Sequence, residues 1–155
     1  METVSSSERQ LQLEQLMPIF REQLERGDSV RFFPRGVSML PMLRQGIDSV
    51  VLSPVPKTWK KYDLPLYQRE NGKFVMHRIV KVGAEITCIG DNQFVLERGL
   101  KPEQMIGIVT AFYRGEVRHS VTEPGYWLYC RLWHYTRFPR HVWRWCKRKI
   151  RRRKP

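Results

Sequence analysis

The sequence is short of long apolar runs, and this excludes several classes of membrane and secreted protein. Its 155 residues contain no apolar stretch of about 18 residues, which is the length that a membrane-spanning helix needs. The first residues include acids and lack the apolar segment of a secretory signal peptide. We therefore expect a cytoplasmic protein.

Cysteine is also scarce, which argues against a disulfide framework. Cys88, Cys130 and Cys146 are too few and too widely spaced for one, and no Cys-x-x-Cys pair occurs. Histidine, cysteine and acidic residues form no cluster with the spacing of metal ligands. We expect free thiols, no metal and no other cofactor.

Acidic residues are missing from the end of the chain, so the net charge of +13 is unevenly distributed. Residues 126–155 contain 11 Lys and Arg and no acid, which leaves 17 basic and 15 acidic residues in 1–125. Apolar residues make up 41 %, enough for a folded core. The chain is therefore predicted to be a nearly neutral domain followed by a strongly basic tail.

The first part of the chain has helical periodicity. Apolar side chains recur there at near-helical spacing: Leu11, Leu13, Leu16, Phe20 and Leu24. Pro18 predicts a kink, or a new start of the helix near Met17, and Gly27 marks the end of the pattern. We assign residues 1–28 to an N-terminal helical segment.

Residues 29–120 are typical of a β-rich domain. Short β-branched or aromatic runs alternate there with turn residues, at 29–32, 48–52, 64–67, 74–76, 79–82, 85–89 and 105–109. Asn71-Gly72, between two such runs, is the strongest hairpin signal. No alternation of strands and helices occurs, so we expect a mostly β, antiparallel fold of the β-rich α+β class.

The last segment, 121–155, is basic and aromatic and is expected to be helical. Residues 126–155 hold eight of the 18 aromatic residues, and Pro139 is predicted to divide the segment. Val142, Cys146 and Ile150 follow at i, i+4 and i+8. Three readings are open: contact with an anionic membrane surface, nucleic-acid binding, or a helix packed on the sheet before a solvated end. We favour the membrane surface.

Three residues of the β-rich region could form a hydrolytic site. Ser38 lies in a Gly- and Pro-containing turn, His77 in a predicted strand, and Asp91 directly after Gly90. A serine needs a neighbouring base to act as a nucleophile, and a carboxylate can orient an imidazole base. Each residue also has an ordinary structural explanation, because Ser and Asp are common in turns and a single His is often only packed. Spacing alone leaves both interpretations open.

The same segments resemble the serine peptidase superfamily that contains type I signal peptidases and the self-cleaving SOS and phage repressors. Four sequence boxes carry the resemblance, in the family's order: Gly36-Val37-Ser38-Met39-Leu40-Pro41, His77-Arg78, Gly90-Asp91-Asn92 and Glu97-Arg98-Gly99-Leu100. His-Arg is the base motif of the archaeal and endoplasmic-reticulum signal peptidases. Tyr62-Asp63 stands where the family has Gly-Asp. The resemblance covers about residues 30–115.

This resemblance implies an endopeptidase in which Ser38 is the nucleophile, His77 the general base and Asp91 the residue that orients His77. Glu97 is expected to assist Asp91, and the backbone N–H groups of Ser38 and Met39 to hold the oxyanion. Three further residues are expected to support the site: Gly36, Pro41 and Arg78. Arg78 is expected to pair with an acid such as Glu97.

Two lysines offer an alternative base. Lys73 and Lys81 lie four residues on either side of His77, so a continuous strand would place all three on one face.

The unperturbed pKa of histidine is about 6.5. With His77 as the base, we therefore expect activity to rise with pH between about 6 and 7.

The chain also departs from the family. It has no membrane-spanning run, and it has neither the Ala-Gly nor the Cys-Gly bond that the repressors cleave in themselves. About 29 residues precede the domain, which is short for the repressors' DNA-binding unit. We therefore expect cleavage of a peptide or precursor protein, with the 126–155 tail on the inner membrane face. The alternatives are an inactive peptide-binding protein of the same fold and a nucleic-acid-binding protein that uses the tail.

Overall fold

A computed structural model of the protein describes residues 6–151. Residues 1–5 of the expected N-terminal segment and 152–155 of the expected tail lie outside the described residues, as does the side chain of Ile150. The chain divides into two compact units, Met1–Val121 and Thr122–Pro155.

The first unit consists of one helix followed by antiparallel strands, so the expected β-rich class is correct. The helix α1 spans Ser6–Glu25. The strands are β1 (Val30–Phe32), β2 (Asp48–Ser53), β3 (Pro65–Gln68), β4 (Phe74–Met76), β5 (Arg78–Lys81), β6 (Ile86–Ile89), β7 (Glu97–Leu100), β8 (Met105–Arg114) and β9 (Val117–Ser120). A short 3₁₀ turn, Pro102–Gln104, precedes β8.

The strands form two sheets. The larger sheet has six strands, in the order β1-β2-β8-β3-β4, with β9 also paired to β8. The smaller has the order β5-β6-β7. Every described strand pair is antiparallel. The sequence analysis did not predict β7 or β9, because Arg98-Gly99 and the exposed residues of β9 lack the apolar alternation of a half-buried strand.

The hairpin predicted at Asn71-Gly72 is present and joins β3 to β4. Gln68 pairs with Phe74, and the turn is closed by a 2.9 Å hydrogen bond from the Gly72 N–H to the Arg69 carbonyl. Gly72 has a φ of 82°, a left-handed conformation that glycine adopts without steric cost. The turn therefore sets the register between the two strands that border the site described below.

Helix α1 buries one face, with Met17, Phe20 and Leu24 inside and Leu16 exposed. Pro18 lies inside the continuous helix, so the fresh start expected near Met17 does not occur. The helix is followed by a cap at Gly27, whose φ is 90° and whose N–H donates to the Leu24 carbonyl, while the Asp28 N–H donates to the Gln23 carbonyl. This pair of bonds is a Schellman cap, which explains why the helical pattern stops at Gly27.

One cluster of buried side chains belongs to both sheets of the first unit. It consists of Tyr67, Ile79, Ile86, Cys88, Leu100 and Met105. His77 is the single residue between β4 of the larger sheet and β5 of the smaller one. The chain therefore crosses from one sheet to the other at His77, beside this shared core.

The second unit contains two helices, α2 (Pro124–Tyr135) and α3 (Arg137–Arg151). They are separated at Thr136, three residues before the predicted break at Pro139. Pro139 lies in the first turn of α3, where a helix has no use for its missing N–H. None of the described helices is long and apolar enough to cross a bilayer.

Candidate functional site

Ser38 and His77 line the same pocket, although 39 positions separate them in the sequence. The pocket has a volume of about 240 Å³. Its wall comes from the β1–β2 loop, from β4 and from three single residues. The lining residues are Pro34, Arg35, Gly36, Ser38, Met39, Leu43, Arg69, Phe74, Val75, Met76, His77 and Gln93. A hydroxyl and an imidazole thus face one small cleft at the edge of the larger sheet.

The turn that carries Ser38 is fastened to the Gly90-Asp91-Asn92 turn. The Asn92 N–H donates to the Ser38 carbonyl at 2.8 Å, and the Asn92 amide donates to the Val37 carbonyl at 3.0 Å. A Cβ at Gly90 would lie 2.7 Å from the Ser38 carbonyl oxygen, closer than such atoms pack. Glycine at position 90 is therefore what lets these two turns approach each other.

The backbone N–H groups of Ser38 and Met39 donate to no acceptor in the described part of the chain. In the same turn the Gly36 N–H donates to the Gln45 side chain at 2.9 Å, and the Leu40 N–H donates to the Val37 carbonyl at 3.3 Å. Two neighbouring donors beside a serine hydroxyl could hold a developing oxyanion.

His77 is buried, with 3 % of its surface exposed, and its Nδ1 atom faces two oxygens. The Tyr67 hydroxyl lies 3.1 Å from Nδ1, and Glu97 Oε2 lies 3.4 Å from it. Tyr67 donates its proton to Glu97 at 2.7 Å, and Arg69 binds both oxygens of the same carboxylate at 2.6 and 2.7 Å. The side chains of Tyr67, Glu97 and Arg69 therefore form a hydrogen-bonded group that holds the His77 imidazole in one orientation.

This network determines which nitrogen of His77 carries the proton. The Tyr67 hydroxyl has one proton, and it points to Glu97 in a hydrogen bond. Towards His77 the Tyr67 oxygen can therefore only be an acceptor. Glu97 is also an acceptor. Nδ1 therefore carries the hydrogen, and Nε2 keeps its lone pair. Nε2 makes no hydrogen bond within the described residues, so it is the nitrogen available to take a proton from a nucleophile.

Burial lowers the pKa of His77 below its ordinary value, even though the nearby Glu97 charge acts in the opposite direction. Burial would raise the pKa of Glu97, but the hydrogen bonds from Arg69 and Tyr67 outweigh it and hold that pKa low. Burial, with the bond to Glu97, raises the pKa of Tyr67. At neutral pH the site therefore holds a neutral imidazole, a phenol and a carboxylate.

The expected pairing of Asp91 with His77 is wrong, because Asp91 is engaged by Arg78. Nε and Nη2 of Arg78 each lie 2.8 Å from one oxygen of the Asp91 carboxylate, and both side chains are nearly inaccessible to solvent. Arg78 pairs with an acid, as expected, but that acid is Asp91, whereas Glu97 pairs with Arg69. Asp91 affects His77 only through its charge, as the last of the influences on the His77 pKa.

Arg78 connects three separate segments of the first unit. Besides Asp91, its guanidinium donates to the Tyr62 carbonyl at 3.3 Å and to the Met42 sulfur at 2.9 Å. Met42 follows the Ser38 turn, and Tyr62 precedes β3. The Arg78–Asp91 pair thus joins the segments around the pocket and makes no hydrogen bond with the His77 side chain.

The alternative bases do not lie in the pocket. Lys73 and Lys81 are both exposed, and neither lines it. The even spacing that would align them with His77 requires one continuous strand, whereas His77 separates strands of two different sheets.

Gly36 and Pro41 shape the turn that carries Ser38. Pro41 follows a cis peptide bond, and Gly36 has a φ of 95°.

Sequence reasoning did not identify Tyr67 and Arg69 as site residues. Both belong to the hairpin whose turn was predicted, and Tyr67 pairs with Val75, two residues before His77. Extending the hairpin register from Asn71-Gly72 would have placed the Tyr67 side chain near that of His77. A tyrosine in an otherwise apolar strand was the available signal, since a buried hydroxyl needs a partner.

Serine, histidine and carboxylate therefore occur together, but the hydroxyl and the base are not in direct contact. Within the described residues Ser38 Oγ makes no hydrogen bond to His77. The described residues also contain no group of three His, Cys, Asp or Glu side chains that could hold a metal ion.

No protein-family model matches the chain, and comparisons with characterised proteins and with solved structures give no significant match.

Proposed function

We propose that the protein is a serine endopeptidase in which Ser38 attacks a peptide bond and His77 is the general base. The observation that carries this proposal is the shared pocket, together with the fixed tautomer of His77. A merely packed histidine needs no hydroxyl–carboxylate pair on Nδ1 while Nε2 stays without a partner. That arrangement is what a proton acceptor for a serine requires.

The proposed reaction uses only groups described above. Nε2 of His77 accepts the proton of Ser38 Oγ while the oxygen bonds to the substrate carbonyl carbon. The N–H groups of Ser38 and Met39 stabilise the oxyanion. The protonated His77 then gives its proton to the leaving amine, and water releases the acyl group by the same route. Glu97 stabilises the imidazolium, which is the part that Asp91 was expected to play.

The position of β4 supports a peptide as the substrate. Among the described strands β4 pairs only with β3, so it is an edge of the larger sheet. Its residues Phe74, Val75 and Met76 line the pocket beside His77. An extended peptide can add to such an edge as a further strand, and its main chain would then run past His77. In such a complex the hydroxyl and the imidazole approach each other, since catalytic hydrogen bonds are often long without substrate.

The fold that we propose is that of the signal peptidases and self-cleaving repressors. The two turns joined around Ser38 contain two of the sequence boxes that resemble this family. Tyr62 supports the same assignment: it has a φ of 80°, a conformation that favours glycine, at the position where the family's motif has glycine.

A library of peptides from a digested proteome tests the activity, with new termini identified by mass spectrometry. We expect the wild-type protein to produce a consistent set of new termini. Ser38→Ala and His77→Gln are expected to lose this cleavage by at least about a thousandfold. Ser29→Ala is the matched control, because Ser29 is an exposed serine that does not line the pocket.

Cleavage that persists in Ser38→Ala would overturn the proposal. Peptides that bind the wild-type protein and are recovered intact would show that it is a binding protein of this fold, and would also contradict the proposed activity.

A further inference from the structure

Helix α3 has three large apolar side chains on one side that are partly exposed to solvent. Phe138, Val142 and Trp145 lie at i, i+4 and i+7, a spacing that places them on one side of a helix. Their exposed fractions are 76 %, 42 % and 51 %. Large apolar side chains so arranged on a surface helix are typical of a contact site.

Helix α2 has an exposed face with the same spacing. Leu128, Leu132 and Tyr135 lie at i, i+4 and i+7, and their exposed fractions are 50 %, 55 % and 72 %. The second unit therefore has two apolar faces, each on a helix too short and too polar to cross a bilayer.

Basic residues are abundant in the sequence of the second unit, and most of them lie in α3. The segment 126–155 holds 11 Lys and Arg and no acid, so any surface that covers it must supply negative charge. A second copy of the chain would bring the same positive charge to the same faces, and this opposes self-association. An anionic phospholipid surface supplies both negative charge and apolar depth.

Three tryptophans of this unit are in contact with cations, and the ammonium of Lys147 lies 3.8 Å from the Trp143 ring centre. The guanidinium of Arg131 lies 3.4 Å from the Trp127 ring centre, and that of Arg140 lies 3.5 Å from the Trp133 ring centre. One face of each ring is therefore occupied, which leaves less of it for stacking on nucleic-acid bases. Tryptophan beside arginine is, by contrast, suited to the headgroup level of a bilayer.

We propose that α2 and α3 form a peripheral membrane-binding unit that lies flat on a bilayer rich in anionic phospholipid. The apolar faces enter the boundary between headgroups and acyl chains, while the basic residues remain among the headgroup phosphates. This proposal stands independently of the peptidase activity, because none of its residues lines the pocket that contains Ser38 and His77.

Vesicles test the proposal with the full-length protein. Binding is measured by co-sedimentation with phosphatidylcholine alone and with equal parts of phosphatidylcholine and phosphatidylglycerol. We expect binding to the anionic vesicles and little to the neutral ones. Phe138→Ser combined with Trp145→Ser keeps the charge, and is expected to weaken binding by about tenfold for each side chain lost.

The matched control is Val95→Ser combined with Val117→Ser, since these valines are 81 % and 60 % exposed on the first unit. This control is expected to bind as the wild-type protein does. A double variant of α3 that binds as tightly as the wild-type protein would overturn insertion of the apolar face. Equal affinity for duplex DNA and for anionic vesicles, both lost at high salt, would indicate a nucleic-acid partner and overturn the proposal.

A second measurement needs no variant and is independent of how the substitutions fold. Four of the five tryptophans lie after residue 121, at positions 127, 133, 143 and 145. If the apolar faces enter the bilayer, lipids brominated in the upper acyl chain should quench the fluorescence of these tryptophans as well as shift its wavelength. Binding to anionic vesicles without such quenching would show that the helices stay outside the apolar layer, which contradicts the proposal.

Discussion

Arg78 holds both carboxylate oxygens of Asp91, each at 2.8 Å, in a part of the first unit that solvent does not reach. This pairing removes Asp91 from His77 and leaves the position beside the imidazole to Glu97. It also connects the Gly90-Asp91-Asn92 turn with Met42 and hence with the Ser38 turn. Asp91, which the sequence analysis paired with His77, instead helps to hold the turn that carries Ser38.

We predict that Asp91→Asn destabilises the protein strongly. The substitution leaves the buried Arg78 charge without its counter-charge, which typically costs about 3–5 kcal/mol. Urea unfolding measures the change in the free energy of unfolding. Replacing both partners, as in Arg78→Met with Asp91→Leu, is expected to recover part of the loss because no unpaired charge remains.

The control for this pair is Glu22→Gln, which breaks an exposed ion pair with Arg26. Its effect on unfolding is expected to be small, since both partners are solvated. An Asp91→Asn variant as stable as the Glu22→Gln variant would contradict the structural role of the buried pair.

Tyr67→Phe is predicted to reduce turnover without unfolding the site. The ring still fills the shared core, but Nδ1 of His77 loses the hydroxyl that it faces at 3.1 Å. A less constrained imidazole should lower kcat by up to about a hundredfold. KM should change little, because Tyr67 does not line the pocket. Loss of a buried hydrogen bond should lower the free energy of unfolding by about 1–2 kcal/mol.

Tyr113→Phe makes the same chemical change on β8, where Arg31 lies over the ring and the pocket is not involved. Its kinetics should match those of the wild-type protein. If Tyr67→Phe raised KM with kcat unchanged, Tyr67 would act in substrate binding and not in positioning His77.

The pH dependence of kcat/KM should show one acidic limb with its midpoint below about 6.5, the ordinary pKa of histidine. His77 must be neutral to accept a proton, and burial lowers its pKa, so activity falls only when the pH drops below that lowered value. The lowered pKa moves the limb to lower pH than the ordinary value on which the sequence-based expectation rests. A midpoint at or above about 6.5 would contradict this prediction.

Glu97→Gln is predicted to move the acidic limb to still lower pH. The negative charge of Glu97 favours protonated His77 and thereby raises its pKa, so its removal lowers that pKa further. Glu116→Gln removes an equal charge from the exposed turn between β8 and β9, and should leave the profile unchanged. A limb that moved to higher pH in Glu97→Gln would contradict the assignment of Glu97 as the partner of His77.

Gly90→Ala is predicted to separate the two turns that position Ser38. The new Cβ would meet the Ser38 carbonyl oxygen at 2.7 Å and Gln93 Oε1 at 3.0 Å, so the Ser38 turn has to shift. Overpacking of this kind typically costs about 1–3 kcal/mol of stability, and kcat should fall as the nucleophile moves.

Gly83→Ala provides the comparison, because a Cβ there makes only an ordinary 3.7 Å contact with the Glu85 carbonyl oxygen. Cleavage rates and unfolding should stay close to wild type in this variant. Full activity in Gly90→Ala would show that contact between the two turns is not needed to position Ser38.

Local sequence was sufficient for much of the fold. The Asn71-Gly72 turn, the end of α1 at Gly27 and most strands of the first unit follow from residues close to one another in the chain. β7 escaped prediction because its central residues are exposed, and that strand carries Glu97. β7 supplies the carboxylate beside His77, yet it has the weakest apolar alternation in the sequence.

The sequence by itself determined the candidates for the site and the division of charge along the chain. It placed a serine in a turn, a histidine beside an arginine and two acids in the segments that follow, and it left the tail without a negative charge. Only the tertiary structure decided that Asp91 pairs with Arg78 and that Glu97 lies beside His77. Asp91 and Glu97 both follow β6, and pairing of β7 with β6 brings Glu97 opposite Cys88, where Tyr67 and His77 are within reach. Contacts of this kind depend on how strands from distant parts of the chain pair, and no local pattern encodes that pairing.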